Sequence, residues 1–148
     1  MESKRRIGIV RPSLCCAYVA SRASIPERSE MWRRLRSEGS CISSTWIDEA
    51  APGQTKSMSE LWQRIQEEIR QSTHLVLYVE RADLPLKGAL IEAGMALAMG
   101  LEVRIVERDF SGSDDLRRLL GSWIKHPLVV FFSDVRFAVN QPPEEVNS

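Results

Sequence analysis

Apolar stretches alternate with amphipathic stretches along the chain, as in proteins whose strands and helices follow one another in turn. Apolar runs predict five strands, at residues 14–20, 41–47, 75–79, 103–106 and 128–132. Between them, apolar residues at helical spacing predict helices that begin near residues 26, 58, 88 and 113. The second helix has the clearest periodicity, with an apolar stripe made of Met58, Leu61, Trp62, Ile65 and Ile69.

Strands that alternate with helices favour a parallel sheet covered by helices on both faces. The predicted strands lack a regular alternation of apolar and polar residues, which is typical of strands buried on both sides. We therefore predict a single-domain α/β fold, a doubly wound flavodoxin- or Rossmann-like sandwich with a mostly parallel five-stranded sheet. The domain is expected to span residues 14–139, with an N-terminal arm at 1–13 and a flexible tail at 140–148.

Composition narrows the class of protein. The chain has 148 residues, of which 43% are hydrophobic and 27% charged, as in soluble globular domains. No run approaches the ~20 apolar residues of a membrane span, and no apolar stretch follows the basic N-terminus, so no secretory signal is expected. The 20 basic and 20 acidic residues balance, which gives no reason to expect a nucleic-acid polymer as partner. The basic excess in the first 40 residues favours either an anionic small ligand or a solvated helix face.

The cysteines and histidines limit the chemistry further. Cys15, Cys16 and Cys41 have no framework spacing and lie in apolar runs, which predicts buried, reduced thiols and a cytoplasmic protein. With only His74 and His126 besides, a metal site is not expected. The Gly-rich dinucleotide and P-loop fingerprints are absent, and no organic cofactor is implied.

One carboxylate stands out in the loop and helix that follow the third predicted strand. Glu92 lies in the otherwise apolar stretch 89–98, where a carboxylate that faces the core is costly. Ligands of parallel sheets bind at the carboxyl ends of the strands. Placed near a helix start, the Glu92 anion is favoured by the helix dipole, as a nucleophile requires. The alternative is that Glu92 lies on the exposed stripe of its helix or caps backbone groups.

The segment Gly88-Ala89-Leu90-Ile91-Glu92-Ala93-Gly94 between the third and fourth strands resembles the nucleoside 2-deoxyribosyltransferase family, which includes deoxynucleoside-monophosphate N-glycosidases. The resemblance extends loosely over residues 17–106, with Tyr18-Val19-Ala20-Ser21-Arg22 as its second anchor. It implies that Glu92 attacks the anomeric carbon of the sugar and that a second base or water resolves the glycosyl-enzyme.

The resemblance also implies an acidic residue that handles the proton of the departing base. Asp83 is the first candidate for handling the proton of the departing base, and Glu80 is the second. Family members commonly carry an Asp before the third strand, where this chain has Thr73-His74. Either the acid role has moved to Asp83, or the leaving group needs no strong acid, or the fold has lost catalysis.

Further residues are candidates for substrate binding. Ser21 and Arg22 precede a helix N-terminus, where a 5′-phosphate fits as well as simple capping and solvation do. Gly88 allows a ligand to approach the backbone. Trp46 is a candidate to stack on a base and Asp48 to bind a sugar hydroxyl, while Tyr18 is expected to place its ring in the core and its hydroxyl near the site. Trp32 and Trp62 are interpreted as core or interface residues.

The leading hypothesis is therefore an enzyme that cleaves or exchanges the N-glycosidic bond of a (deoxy)nucleoside or its 5′-monophosphate. The alternatives are a non-catalytic nucleotide-binding or sensing module on the same fold, and a hydrolase of NAD-type N-glycosides. The expected partner is a small-molecule nucleoside or nucleotide, and the resemblance implies a homo-oligomer.

Overall fold

The computed structural model describes residues 15–49 and 57–143 of the chain. One sheet contains four strands: β1 (Ala17–Ala20), β2 (His74–Glu80), β3 (Glu102–Arg108) and β4 (Val129–Phe131). They pair in the order β1-β2-β3-β4, and every pair is parallel. The predicted parallel α/β architecture is confirmed, but the described sheet has four strands and not five. The predicted arm at 1–13 lies outside the described residues.

Within residues 15–49 and 57–143, five α-helices cover the sheet: α1 (Pro26–Ser37), α2 (Met58–Arg70), α3 (Gly88–Ala98), α4 (Ser113–Leu120) and α5 (Val135–Asn140). Helices α2, α3 and α4 form a core with one face of the sheet, and α1 and α5 form a core with the other. Successive β2 residues divide between the cores, since Leu75 and Leu77 face the first and Val76 faces the second. None of the helices in the described ranges combines the length and apolar character of a membrane span.

The predicted strand at 41–47 is wrong, and side chains explain why. Only Ile42 forms a bridge, to Ala17 of β1, and residues Trp46–Asp48 form a 3-10 turn. Beyond that bridge, the Ser44 hydroxyl accepts from the Val19 N–H at 2.7 Å, and the Trp46 indole N–H donates to the Val19 carbonyl at 2.8 Å. These side chains satisfy the edge of β1, so the segment does not need to continue as a strand.

The expectation of three reduced thiols is also wrong. Cys16 and Cys41 form a disulfide that joins the residue before β1 to the segment beside it, and Cys15 stays free. Disulfides are typical of oxidising compartments. The cytoplasmic location therefore stays a prediction, and the cysteines no longer support it.

At the end of the sheet opposite the carboxyl ends of the strands, two buried side chains hold α5, a helix that the sequence did not predict. His74 donates from Nε2 to the carbonyl oxygens of Ala138 and Val139, at 3.0 and 3.1 Å. Arg104 is 1% exposed and donates to the carbonyls of Ala138 and Gln141. Helix α5 ends at Asn140, the first residue of the predicted tail, and Arg104 also contacts the carbonyl of Gln141. Residues 144–148 of that tail lie outside the described part.

Candidate active site

A cavity of about 450 Å³ opens at the carboxyl ends of β1 and β2. The loop after β1 and the loop after β2 form two of its sides, and the first halves of α2 and α3 form the others. The bridge at Ile42 lies on the outer side of β1, so the chain reverses its winding direction between β1 and β2. This is the position at which open parallel sheets bind ligands.

Glu92 lines this cavity from the second turn of α3 and is 8% exposed. Burial raises the pKa of its carboxyl to about 8, the nearby Tyr18 hydroxyl lowers it, and the charge of Glu68 raises it. In the free protein, burial therefore outweighs the favourable effect that we expect from the helix dipole. Glu92 is the fifth residue of α3, whereas the dipole acts mainly within the first turn, so the cost of desolvation dominates.

Tyr18 lies next to Glu92 with its ring fully buried in the core, but it does not line the cavity, so its role in substrate binding stays a prediction. Burial raises the pKa of Tyr18 well above its usual value, and the neighbouring Glu92 and Glu68 carboxyls raise it further. The hydroxyl is close enough to influence Glu92, but it has no partner in full hydrogen-bond geometry among the described residues. The carboxyl of the candidate nucleophile thus lies next to a buried phenol whose hydrogen bond to it is incompletely aligned.

Two tryptophan side chains line the cavity, Trp46 and Trp62. The hydrogen bond from the Trp46 indole to the Val19 carbonyl fixes the first ring. Trp62 packs against the core, as interpreted, but it is only half-buried and also lines the cavity wall next to Gly88. Trp32, by contrast, is fully buried, and its indole donates to the Ser21 hydroxyl at 2.9 Å. The walls thus offer aromatic surface to a planar ligand.

Positive charge lies at the cavity through Arg22 and Lys87. Arg22 donates from NH1 to the carbonyl oxygens of Asp83 and Leu84, at 3.0 and 3.4 Å, and from Nε to Ser24 at 3.2 Å. Among the described residues, neither cation has a carboxylate within ion-pair distance. Ser21 also lines the cavity, although its oxygen already accepts from Trp32.

Asp83 is buried beside the cavity but does not line it. Its carboxylate accepts from Arg28 Nε and NH2, at 3.1 and 2.7 Å, and from the Glu80 backbone N–H at 3.0 Å. This arrangement does not favour the predicted transfer of a proton to the base, because Arg28 and a backbone N–H already occupy both carboxylate oxygens and the side chain does not reach the cavity. Glu80, the second candidate, also lies away from the cavity and accepts from the Tyr78 hydroxyl.

Two further candidates differ from their expected roles. Asp48 does not line the cavity, and its exposed carboxylate forms an ion pair with Arg36 at 2.6 and 3.0 Å. Asp48 is therefore exposed to solvent and lies outside the cavity, and its contact with a sugar hydroxyl stays a prediction. Gly88 does line the cavity, but a Cβ atom there would lie 3.6 Å from the Trp62 ring, in ordinary contact. Gly94 is exposed, and a Cβ atom there would contact nothing.

Sequence reasoning missed Trp62, Lys87 and the apolar wall formed by Leu61 and Ile65. A signal for part of this set exists. A helix that connects two parallel strands starts at their carboxyl ends, so its first turns lie at the ligand-binding edge. Trp62 occupies the second turn of α2, in the position that corresponds to Glu92 in α3. In the described part of the chain, no group of three or more His, Cys, Asp or Glu side chains is arranged to hold a metal ion.

The fold and cavity together define an α/β protein with a cavity at the switch point of a parallel sheet. The fold is similar to the solved structure of a CMP N-glycosidase, BcmB, from Clostridium botulinum, with a TM-score of 0.50 and 14% sequence identity. The match covers 80% of this chain and 90% of the other. At this identity the likeness supports the fold alone. No protein-family model matches the chain, and no curated protein matches it significantly.

Proposed function

We propose that the protein cleaves or exchanges the N-glycosidic bond of a (deoxy)nucleoside 5′-monophosphate or nucleoside, with Glu92 as the nucleophile. The observation that carries this proposal is the Glu92 carboxyl itself, buried at the cavity wall without a cation partner among the described residues. A buried carboxyl that lines a cavity and has no cation partner is typical of a catalytic group. The fold likeness to a CMP N-glycosidase agrees with the proposal.

The reaction proceeds as in retaining glycosidases. The ionised Glu92 oxygen bonds to the anomeric carbon as the bond to the base nitrogen breaks, and the bonding electron pair leaves with the base. Water, or a second base, then displaces the carboxylate and releases the sugar product. Glu92 is the one carboxyl among the described lining residues. The leaving base therefore takes its proton from solvent in this proposal, which suits bases that leave without a strong acid.

The remaining lining residues support a nucleotide as substrate. Trp46 and Trp62 supply planar surface for a base, and Arg22 and Lys87 supply positive charge for a 5′-phosphate. These binding roles were predicted for Trp46 and Arg22 and are retained here. The predicted homo-oligomer stays a prediction; Phe131 and Phe137, 46% and 54% exposed, are among the exposed apolar residues that could contribute to it.

The experiment that tests this proposal is chromatographic detection of free base. The protein is incubated with nucleosides, their 5′-monophosphates and NAD, with and without an acceptor base. We expect base release from at least one 5′-monophosphate and a loss of at least ~10⁴-fold in kcat for Glu92→Gln. New nucleoside formed with the acceptor identifies transfer, whereas nicotinamide release identifies an NAD-type hydrolase.

The matched control is Glu67→Gln, which removes an exposed carboxylate of α2 that pairs with Arg70. This variant is expected to retain wild-type activity. Acid quenching of the wild type with substrate is expected to give an intact mass increased by one glycosyl unit, and Glu92→Gln to give none. Activity that survives in Glu92→Gln would overturn the assignment of the nucleophile.

The pH dependence separates a nucleophile from an acid. Because burial raises the pKa of Glu92 to about 8, kcat/KM is expected to increase with pH and to level off above pH 8. A rate that decreases through the same range would mean that the protonated carboxyl is the active form and that Glu92 donates a proton.

A non-catalytic nucleotide-binding module is the second candidate function. The observation in its favour is the absence of a second carboxyl among the described lining residues, since Asp83 and Glu80 are engaged elsewhere. Its signature is a nucleotide that raises the melting temperature of both the wild type and Glu92→Gln, with no base released by either.

A further inference from the structure

Arg28 and Asp83 form a buried ion pair between α1 and the loop after β2. The Asp83 side chain is 0% exposed and that of Arg28 is 12% exposed, and the guanidinium also lies 5.2 Å from the centre of the Tyr78 ring. With the Glu80 backbone N–H, three donors occupy the two oxygens of Asp83. The pair is therefore a fixed part of the structure and not an exposed contact.

Arg22 lies on the other side of the same residue. Its NH1 donates to the main-chain oxygen of Asp83 at 3.0 Å, while the Asp83 side chain is directed to Arg28. Arg22 thus touches Asp83 without neutralising it, and its charge stays available at the cavity. Two arginines contact one aspartate, and only one of them pairs with the carboxylate.

We propose that Arg28 is a positioning residue that occupies the Asp83 carboxylate and so keeps the Arg22 guanidinium free for an anionic group of the ligand. The proposal rests on the proposed function for the identity of that ligand, a nucleoside 5′-monophosphate. A buried carboxylate that loses its cation attracts the nearest replacement. Without Arg28, that replacement is Arg22, which already contacts the same residue. Arg28 therefore acts on the ligand through Arg22 and does not touch it.

The first test needs no ligand and observes the Arg22 Nε–Hε signal by NMR, assigned through its loss in Arg22→Lys. In Arg28→Met the signal is expected to shift as Arg22 turns from Ser24 to the Asp83 carboxylate. In the double variant Arg28→Met/Asp83→Asn the carboxylate is gone, and the signal is expected to return to the wild-type position. An Arg22 signal that does not change in Arg28→Met overturns the proposal.

The second test measures binding of CMP and cytidine by calorimetry, with Glu92→Gln as background so that no turnover occurs. Arg22→Met and Arg28→Met are each expected to weaken CMP binding by about ten- to a hundredfold, the value of a hydrogen bond to a charged group. Cytidine binding is expected to change little. The double variant Arg28→Met/Asp83→Asn, and Asp83→Asn alone, are expected to bind CMP within about threefold of the background protein.

The double variant distinguishes positioning from a merely structural role. If it binds CMP as weakly as Arg28→Met, Arg28 supports the loop or binds the ligand itself, and the proposal is wrong. Should Arg28→Met fail to fold, Arg28→Lys keeps the charge but not the paired geometry, and a smaller loss that Asp83→Asn reverses is expected. Absence of CMP and cytidine binding in every protein contradicts the proposed function, whereas the NMR result still decides the role of Arg28.

Discussion

Asp83 and Glu92 are two buried carboxyl groups at the same end of the sheet, but they differ in the hydrogen-bond partners that surround them. Asp83 is fully buried yet receives three hydrogen bonds, two of them from a guanidinium. Glu92 is nearly as buried, at 8% exposure, and has only the incompletely aligned Tyr18 hydroxyl beside it. The neighbours of Asp83 stabilise its carboxylate, whereas burial and the charge of Glu68 disfavour the ionised form of Glu92.

This difference distinguishes a carboxylate with a structural role from one that is available to react with or bind a ligand. A carboxylate with its lone pairs occupied gains nothing from a ligand, whereas one without partners can react with or bind what enters the cavity. The sequence ranks Asp83 beside Glu92 as a catalytic candidate, because both are acidic residues of the same region. Only the position of Arg28, more than fifty residues earlier in the chain, separates the two.

The largest expected effect comes from removing the partner of Asp83. Arg28→Met leaves a buried carboxylate without its cation, and we expect a loss of about 3–5 kcal/mol in the free energy of unfolding. Arg36→Met is the matched control, since its partner Asp48 is half exposed; a loss below about 1 kcal/mol is expected there. Urea denaturation at pH 7 measures both values, and equal losses would contradict the role assigned to burial.

In contrast to Arg28→Met, Glu92→Gln is expected to increase the free energy of unfolding relative to wild type as the pH rises. The pKa of Glu92 is raised from 4.5 to about 8 in the folded protein, so the folded state holds a proton that the unfolded state releases between these values. The contribution of Glu92 to stability is therefore largest below pH 4.5 and is lost as pH rises through 8, by about 4 kcal/mol. The difference in unfolding free energy between Glu92→Gln and wild type, measured in urea at pH 5 and pH 8, tests this. A difference that does not depend on pH would mean that Glu92 ionises freely.

His74 provides a third buried group, hydrogen-bonded but without an opposite charge. Burial and the nearby charge of Arg104 lower the pKa of His74 to about 4 from 6.5. The unfolded state therefore binds the proton first, and stability is lost as pH falls from about 6.5 to 4, by about 3 kcal/mol. Comparing wild type with His74→Gln over this range isolates the effect. A shared pH dependence of the two proteins would assign it to other groups.

The smallest expected effect concerns the neighbour of Glu92. The Glu68 carboxylate accepts from the Thr45 N–H and hydroxyl, and its charge raises the pKa of Glu92. Glu68→Gln is therefore expected to move the midpoint of the Glu92 titration to lower pH while the activity above pH 8 stays near wild type. Carbon NMR of the Glu92 carboxyl follows the midpoint directly, and Glu67→Gln is expected to leave it in place.

Much of the fold follows from local patterns. The periodicity of α2 and the apolar runs of β2 and β3 are strong enough that the predicted bounds agree with the structure to within one or two residues. The strand predicted at 41–47 does not form, because an apolar run does not show whether the backbone groups of the neighbouring strand are satisfied by a backbone or by side chains. The Val19 N–H and carbonyl form hydrogen bonds with the Ser44 hydroxyl and the Trp46 indole instead of with a neighbouring backbone. A sequence pattern does not predict these side-chain hydrogen bonds.

The site was predictable where strand ends and helix starts determine position. Arg22 and Glu92 reach the cavity from elements that the periodicity locates. Asp48 and Asp83 depend on which arginine meets them across the fold, and those pairs join residues far apart in sequence. Similarly, Cys16 and Cys41 are 25 residues apart, and their pairing follows from the bridge between Ala17 and Ile42 rather than from any spacing rule.

The way Ser44 and Trp46 close the outer edge of β1 limits how molecules of this protein can associate. A sheet grows without end only when both of its edges accept a new strand. Here one edge is covered by side chains, and the other is β4, whose Val130 and Phe131 are 37% and 46% exposed. An association through the edges of the described sheet would therefore join β4 to β4 and end at two molecules, as a closed pair rather than a fibre.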